Sequence, residues 1–369
     1  MSQYIHPKSP QTFTNGIRHP DLHLWDAWSF VGDGDVLHLY SLAVPKARQD
    51  GTPITGPERN DTPFHVRHFS SHDLGASWTD EGSLIAPRIG QGLPDSRTIW
   101  SGSIEPLPDG KKLLAYTGLY ALDAEHCFAQ NIMLALSDGY EVESREDEAL
   151  ICPIRDWKAI TDAGYYLAPP DDIGHRGGEG GGPILAWRDP FVFIDADDQI
   201  HLFWSAKAGP RVGAMGHGLV RREGRRFRLE KLYPPVTIPD GNDVTQLELP
   251  KIYHDARRGT YYLISATCNR IDERQPDEEL SKTIRLHLSS SLDGPWRPWN
   301  PEGSALPGLE GLFGMTVLEA DFDRGSLLCI APYTGAGGDE RGLTFSPCYR
   351  IDLDPVRVSI PSYSGAESG

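Results

Sequence analysis

Short apolar runs, rather than a helical repeat, organise this chain. Apolar and β-branched residues gather in stretches bounded by Gly, Asp, Asn and Pro, and a helical period of about 3.6 residues is hard to find beyond one turn. A turn sequence such as GDGD, PDGK or DARRG precedes each of five similar runs, and another apolar run lies before that turn. The five runs are VLHLYSLAV at 36–44, KLLAYTGLY at 112–120, IHLFWSAK at 200–207, TYYLISATC at 260–268 and SLLCIAPY at 326–333.

The recurrence of this strand, turn, strand unit predicts the architecture. The units are spaced about 60 to 90 residues apart, and further strand material follows several of them, as is typical of four-stranded propeller blades. We therefore predict an all-β fold, a five-bladed β-propeller with a central funnel-shaped active site, built as one domain from residues 1–369. A β-sandwich or jelly roll would also have short strands, but it would not explain five copies of one unit.

The excess of acidic over basic residues argues against a nucleic-acid partner. The chain has 52 acidic and 35 basic residues and a formal net charge of −17, whereas a nucleic-acid partner requires a basic patch. Five arginines at 221–228 are interrupted by Glu223, which favours a solvated hairpin. We expect no nucleic-acid partner, and a neutral small substrate is compatible with this charge.

The N-terminal sequence and the cysteine pattern predict where the protein is located in the cell. The N-terminus lacks a basic segment followed by an apolar one, and no uncharged apolar run reaches about 18 residues. We expect no membrane partner and a cytoplasmic location, with export by a non-standard route left open. The cysteines form no C-x-x-C pair, so we expect reduced, mostly buried thiols at Cys127, Cys152, Cys268, Cys329 and Cys348.

Carboxylates interrupt the apolar pattern just ahead of the repeated hairpins. They are Asp26 in the stretch WDAW, Asp189 in WRDP and Glu248 in LELP. A carboxylate in apolar surroundings costs free energy unless it is hydrogen-bonded or functional. Each also has a structural explanation: a turn-capping aspartate for the first, an arginine–aspartate pair that holds a strand for the second, and an exposed edge carboxylate for the third.

The propeller prediction brings these residues together. Inner strands of all blades begin near the central channel, so carboxylates from different blades can meet in one funnel. Two carboxyl groups about 5 to 5.5 Å apart would allow a retaining displacement, with one as nucleophile and the other as acid/base. Trp100 and Ser101 add an aromatic face and a hydroxyl, the mixture with which proteins bind sugars, although a buried strand tryptophan is the alternative.

These motifs resemble glycoside hydrolase family 68, the levansucrases, inulosucrases and bacterial β-fructofuranosidases. The resemblance covers almost the whole chain and is carried by WDAW at 25–28, RTIWSGS at 97–103, WRDP at 187–190, LELP at 247–250, GTYYLIS at 259–265 and TFSPCYRIDL at 344–353. It implies a retaining β-fructosidase or fructosyltransferase that acts on sucrose or a fructo-oligosaccharide through a covalent fructosyl-enzyme, without a cofactor.

The resemblance also implies roles for single residues. Asp26 matches the nucleophile, Asp189 the transition-state stabiliser that binds fructosyl hydroxyls, and Glu248 the general acid/base. Gln246 stands where the family usually has an acidic residue, and its amide can still hydrogen-bond to glucose hydroxyls. Phe313 stands where a tyrosine is common. The sugar-lining positions correspond to Trp25, Trp100, Ser101 and Arg188.

Two other interpretations stay open. One is a glycosidase or phosphorylase of a related propeller family that acts on another furanoside or pyranoside, and the other is a non-catalytic sugar-binding propeller. The short chain and the missing secretion signal favour hydrolysis or short-chain transfer over polymer formation. No metal site is predicted, because DADDQ at 195–199 lacks the calcium-loop pattern. HRGGEGGGP at 175–183 lacks the Lys-Ser/Thr of a phosphate loop and is interpreted as a loop near the funnel mouth.

Overall fold

The protein is a five-bladed β-propeller. The computed structural model describes residues 11–55, 57–177, 184–240, 244–272, 275–333 and 343–359. Strands make up about 52% of the structure and helices about 5%, and the strands form five antiparallel sheets in a ring. This confirms the predicted fold class.

Blades 1 to 3 follow one another along the chain. From the channel outward, blade 1 consists of β2 (Leu22–Val31), β3 (Leu37–Pro45), β4 (His65–Ser71) and β5 (Ser77–Ile85). A fifth strand, β1 (Thr12–Thr14), pairs with the outer edge of β5. Blade 2 consists of β6 (Thr98–Pro106), β7 (Lys112–Tyr120), β8 (Ala129–Ser137) and β9 (Val142–Arg145). Blade 3 consists of β10 (Arg188–Ile194), β11 (Ile200–Gly209), β12 (Val212–Glu223) and β13 (Arg226–Leu232).

Blades 4 and 5 complete the ring. Blade 4 consists of β14 (Gln246–Asp255), β15 (Thr260–Cys268), β16 (Lys282–Ser289) and β17 (Arg297–Pro298). Blade 5 consists of β18 (Thr316–Asp321), β19 (Ser326–Ile330), β20 (Tyr349–Leu353) and β21 (Val356–Ser359). The described helices are α1 (Trp157–Asp162) and the short 3₁₀ turns Asp33–Asp35, Pro57–Asp61, Pro170–Asp172 and Asp277–Glu279. None of the described helices is long and apolar enough to cross a membrane.

The hydrophobic core lies between the blades. Each of the five apolar clusters in the described residues joins neighbouring sheets, for example Trp28 and Tyr40 of blade 1 with Ile99 and Tyr116 of blade 2. The ring closes where blade 1 packs on blade 5 and an isolated bridge pairs Ile17 with Phe345. Stacked sheets bury both faces of each blade, which explains why the repeated runs are apolar almost throughout.

The repeated runs predicted from the sequence form the second strand of each blade. Residues 112–120 and 260–268 match β7 and β15 in full, whereas β19 ends at Ile330, three residues before the predicted run does. The arginine-rich segment forms the β12–β13 hairpin, where Arg221 and Arg228 pair with Glu223, so the prediction of a solvated hairpin is confirmed.

Every inner strand is interrupted by a break in register with the second strand. The breaks lie between Leu24 and Ala27, Trp100 and Gly102, Arg188 and Phe191, Glu248 and Lys251, and Val317 and Glu319. At the break in β6, a Cβ on Gly102 would lie 2.0 Å from the main-chain oxygen of Ala115, so only glycine fits this close approach. Such bulges re-aim side chains and often accompany functional sites.

Candidate active site

The inner-strand bulges bring the three predicted carboxylates to one place. Asp26, Asp189 and Glu248 each lie at the break in their own strand, in blades 1, 3 and 4. Proline interrupts two of these strands, at Pro190 and Pro250, where a ladder hydrogen bond is missing. The breaks impose uncommon backbone conformations, with φ of 57° at Asp189 and 52° at Leu249. A positive φ is tolerated by aspartate but costly for leucine, which indicates that the surrounding fold enforces it at Leu249.

Asp26 is held by a serine from the next blade. Ser101 Oγ donates a 2.6 Å hydrogen bond to Asp26 Oδ2. Burial and the negative charge of Asp189 raise the pKa of Asp26 to about 7, while the Ser101 hydrogen bond opposes this rise. Asp26 is therefore a carboxyl group that changes charge near neutral pH.

Asp189 is buried and tied to blades 2 and 4. Ser205 Oγ donates to Asp189 Oδ2 at 2.9 Å, and the main-chain N–H of Leu249 donates to the same oxygen at 3.2 Å. The Asp189 N–H donates in turn to Thr117 Oγ1 at 2.9 Å. Burial raises the pKa of Asp189, although these donors and Arg188 favour its ionised form. The aspartate is fixed in one orientation.

Arg188 faces Glu248 more closely than it faces Asp189. Its Nη2 lies 3.0 Å from Glu248 Oε1, whereas its Nε lies 3.9 Å from Asp189 Oδ2. The sequence alternative in which Arg188 and Asp189 pair to hold a strand is therefore secondary, because the shorter ion pair joins blades 3 and 4. The Cys268 thiol lies 3.9 Å from the same glutamate oxygen.

Gln246 completes this polar cluster. Its side chain is fully buried; Oε1 accepts from Arg188 Nη2 at 3.3 Å, and Nε2 donates to the main-chain oxygen of Arg270 at 3.2 Å. The amide thus satisfies an arginine donor without adding a negative charge beside Glu248. A buried amide with both ends bonded is structurally specified.

Aromatic residues flank the carboxylates. Trp25 is partly buried, with the Arg59 guanidinium 4.9 Å above its ring, and Trp100 packs at 5.8 Å against Phe128. Both tryptophans keep some exposed surface, which a sugar ring requires for stacking. Phe313 is buried at 7% exposure, and the adjacent Gly314 has a φ of +63°.

Sequence reasoning missed one charged residue at the site. Lys251 of β14 is 3% exposed, and its Nζ has no hydrogen-bond partner in the part of the chain that the structure describes. Its charge acts on both Asp26 and Asp189. A lysine directly after LELP in an apolar strand was the available signal, since lysine is almost never fully buried without a paired charge.

Three further features concern metal ligands, cysteines and the glycine-rich stretch. Within the described residues, no group of three or more His, Cys, Asp and Glu side chains could hold a metal ion. The described cysteines are free thiols, four buried and Cys152 partly buried. Residues 178–183 of the glycine-rich stretch lie outside the described residues, so its predicted position near the funnel mouth is untested.

Comparison with solved structures shows the same fold in an inulosucrase and in levansucrases. Inulosucrase from Halalkalicoccus jeotgali bound to kestose aligns with a TM-score of 0.66 and 19% identity, over 100% of this chain and 97% of that one. A Bacillus subtilis levansucrase variant in complex with oligosaccharides aligns with a TM-score of 0.62 and 15% identity, over 92% and 86%. A levansucrase variant complexed with sucrose gives 0.61 and 15%, over 93% and 87%. At this identity the likeness establishes the shared five-bladed fold.

Sequence comparison adds no relative. No protein-family model matches the chain, and no match is found among curated proteins.

Proposed function

We propose that this protein is a retaining fructosyltransferase or β-fructosidase of the levansucrase type, which takes a fructosyl group from sucrose. The observation that carries the proposal is the meeting of Asp26, Asp189 and Glu248 from three blades, with Asp26 Oδ2 held by a hydrogen bond from Ser101. The likeness over 92–100% of the chain to an inulosucrase bound to kestose and to levansucrases in complex with oligosaccharides or sucrose supports the substrate class.

Asp26 is the nucleophile of the proposed mechanism. One of its oxygens attacks the anomeric carbon of the fructosyl unit while the bond from that carbon to the glycosidic oxygen breaks. Glu248 gives its proton to the departing oxygen, so glucose leaves as a neutral sugar. The product of this half-reaction is a fructosyl ester of Asp26.

The second half-reaction releases the fructosyl group. The Glu248 carboxylate takes a proton from water or from a sugar hydroxyl, whose oxygen attacks the same carbon and displaces the Asp26 carboxylate. Two inversions retain the configuration. Asp189, fixed by Ser205 and the Leu249 N–H, supplies a preorganised negative charge beside the oxocarbenium-like ring.

Arg188 and Gln246 shape the side of the site where the leaving group binds. Arg188 orients Glu248 at 3.0 Å, and Gln246 holds the same guanidinium at 3.3 Å. Trp25 and Trp100 provide the partly exposed aromatic surfaces for sugar rings.

The test is incubation of the purified protein with sucrose and separate measurement of glucose and fructose. Equal amounts mean transfer to water, and excess glucose means transfer to a sugar. Asp26→Ala should abolish turnover, and Glu248→Gln should lower kcat by about a hundredfold or more. Release of neither sugar would overturn the proposal; activity on arabinosides or galactosides would then favour a related glycosidase, and saturable binding alone a sugar-binding propeller.

A further inference from the structure

Lys251 is an unusual residue for the position it occupies. It lies directly after the bulge in β14, pairs in register with Ile264 and is 3% exposed. Its neighbours along the strand are Pro250 and Ile252. Burial of an ammonium group costs several kcal/mol unless charges or hydrogen bonds compensate for it, so packing alone does not explain a lysine here.

The compensation comes from the active-site aspartates. In the described residues, Nζ has no hydrogen-bond partner and forms no salt bridge within 4.0 Å, yet its charge interacts with both Asp26 and Asp189. The Cys329 thiol of β19 is the third group facing it. Lys251 is therefore a fixed positive charge that acts through space, without binding either carboxylate directly.

The charges around Asp26 explain what such a group can do. Asp189 from β10 and Glu248 from β14 face Asp26 with negative charge, Ser101 from β6 donates to it, and Lys251 is the cation that acts on it. Arg188, the other cation of the site, is engaged by Glu248 and Gln246. Arg188 still lies 3.9 Å from Asp189, so loss of Lys251 would remove positive charge chiefly from the surroundings of Asp26.

We propose that Lys251 is a positioning residue of the reaction, whose buried ammonium keeps Asp26 ionised and ready to attack the sugar. The inference rests on the proposed function of Asp26 as nucleophile. It assigns to Lys251 no contact with substrate and no proton transfer. Burial lowers the pKa of Lys251 to about 8, so its charge is present in the neutral and acidic range in which Asp26 titrates.

The test replaces the Lys251 side chain by an uncharged one of similar length. In Lys251→Met, the acid limb of the kcat/KM profile for sucrose should move to higher pH by about one unit or more. The reason is that a nearby opposite charge lowers a carboxyl pKa by that amount, and the variant lacks this charge. For a rise of one unit from a pKa of about 7, activity should fall about tenfold at pH 5 and about twofold at pH 8, because the ionised fraction of Asp26 falls by those factors. Lys251→Arg, which keeps the charge, should leave the acid limb closer to that of the wild type.

A matched control separates charge from stability. Lys207 of β11 is also buried, at 1% exposure, and its Nζ donates to the Pro210 oxygen at 2.9 Å. Lys207→Met should lower thermal stability without moving the acid limb. An acid limb in Lys251→Met that coincides with the wild-type limb would overturn the inference even if that variant is less stable.

A measurement without turnover distinguishes this inference from the proposed function. Titration of ¹³C-labelled aspartate carboxyls, with Asp26 assigned by loss of its signal in Asp26→Asn, should show a higher pKa for Asp26 in Lys251→Met. If wild-type protein leaves sucrose intact, the proposed function fails, and the titration still decides whether Lys251 controls the charge of Asp26. An unchanged Asp26 pKa refutes that control. Lys251→Gln, with a polar end, replaces Lys251→Met if the latter does not fold.

Discussion

Arg188 of blade 3 reaches across to Glu248 of blade 4, with 3.0 Å between Nη2 and Oε1, although Asp189 is its neighbour in the chain. The same guanidinium donates to the Leu185 oxygen at 2.7 Å and to Gln246 at 3.3 Å. Because a guanidinium presents a rigid fork of donors, these partners fix its plane and so fix the position of the glutamate. The orientation of the proposed acid/base therefore depends on a neighbouring blade.

Arg188→Lys tests this dependence. A lysine keeps the charge but cannot serve all three acceptors from one plane, so Glu248 should lose its fixed position. We expect kcat/KM for sucrose to fall by about ten- to a hundredfold, the range that a displacement of about 1 Å can cause. Arg221→Lys on the outer hairpin is the control and should be neutral. Retention of kcat/KM within twofold would refute the orienting role.

Ser101→Ala tests the hydrogen bond to the proposed nucleophile. A hydrogen bond to a charged group contributes about 1.5 to 3 kcal/mol, so kcat should fall roughly ten- to a hundredfold. The acid limb of the pH profile should also move up, since the Ser101 hydrogen bond lowers the pKa of Asp26. Ser103 of the same strand accepts from the Val192 N–H at 2.8 Å, and Ser103→Ala should change stability alone. Equal pH profiles for the two variants would contradict the assignment.

Asp26→Asn should lose activity and gain thermal stability above neutral pH. The pKa of Asp26 is about 7 in the folded protein and 3.8 in its ordinary state, so folding favours the protonated form. This contribution is fully present below pH 3.8 and is lost as the pH rises through 7, where a buried charge must be carried. In calorimetric scans, Tm of Asp26→Asn should therefore exceed that of the wild type at pH 8, with a smaller difference at pH 5. A lower Tm at both pH values would be inconsistent with the raised pKa.

Gly314 and Gly311 offer a matched pair in one loop. Both have a positive φ, +63° and +80°, so alanine should cost about 1 kcal/mol of stability at either position. A Cβ at Gly314 would lie 3.1 Å from Asp26 Oδ1 and 2.8 Å from Leu249 Cδ1, whereas at Gly311 it would meet open space. We expect both variants to lose stability and Gly314→Ala alone to lose most of its sucrose turnover. Similar kcat values would show that the space beside Asp26 is not needed.

A buried histidine pair predicts acid sensitivity. His38 Nδ1 and His68 Nε2 lie 2.9 Å apart, and burial lowers the pKa of His38 to about 4 and of His68 to about 3. These values are below the ordinary 6.5, so the unfolded chain binds more protons, and the stability contribution is lost as the pH falls below 6.5.

The comparison of His68→Gln with the wild type measures that loss. The variant should be less stable in urea at pH 8, and the difference should narrow between pH 7 and pH 5. Replacement of the exposed His72 by Gln is the control, with a constant difference expected. A His68→Gln difference that stays constant with pH would argue against a neutral buried pair.

The sequence was sufficient for the blades because each carries its own local signal. A turn of suitable chemistry followed by a β-branched and aromatic run marks the second strand of every blade, and this pattern depends on neighbouring residues alone. It placed the boundaries of β7 and β15 in full. The end of β19 was missed because the predicted run continues past it through residues 331–333 of similar character.

The cross-blade contacts could not be obtained in the same way. WDAW and WRDP single out Asp26 and Asp189, but no local pattern reveals that Arg188 faces Glu248 or that Ser101 donates to Asp26, 75 residues away. Lys251 was overlooked because, in sequence, it resembles any strand lysine that extends its amine to solvent. Its significance depends on burial, which is a property of the closed ring.

The break in each of the five inner strands divides the channel wall into two zones. An extra residue shifts the alternation of side chains by one, so positions before and after each break reach the channel with opposite parity. Residues beyond the breaks therefore serve the contacts between blades, as Ser29 does when its hydroxyl donates to the Val317 oxygen of blade 5 at 2.7 Å.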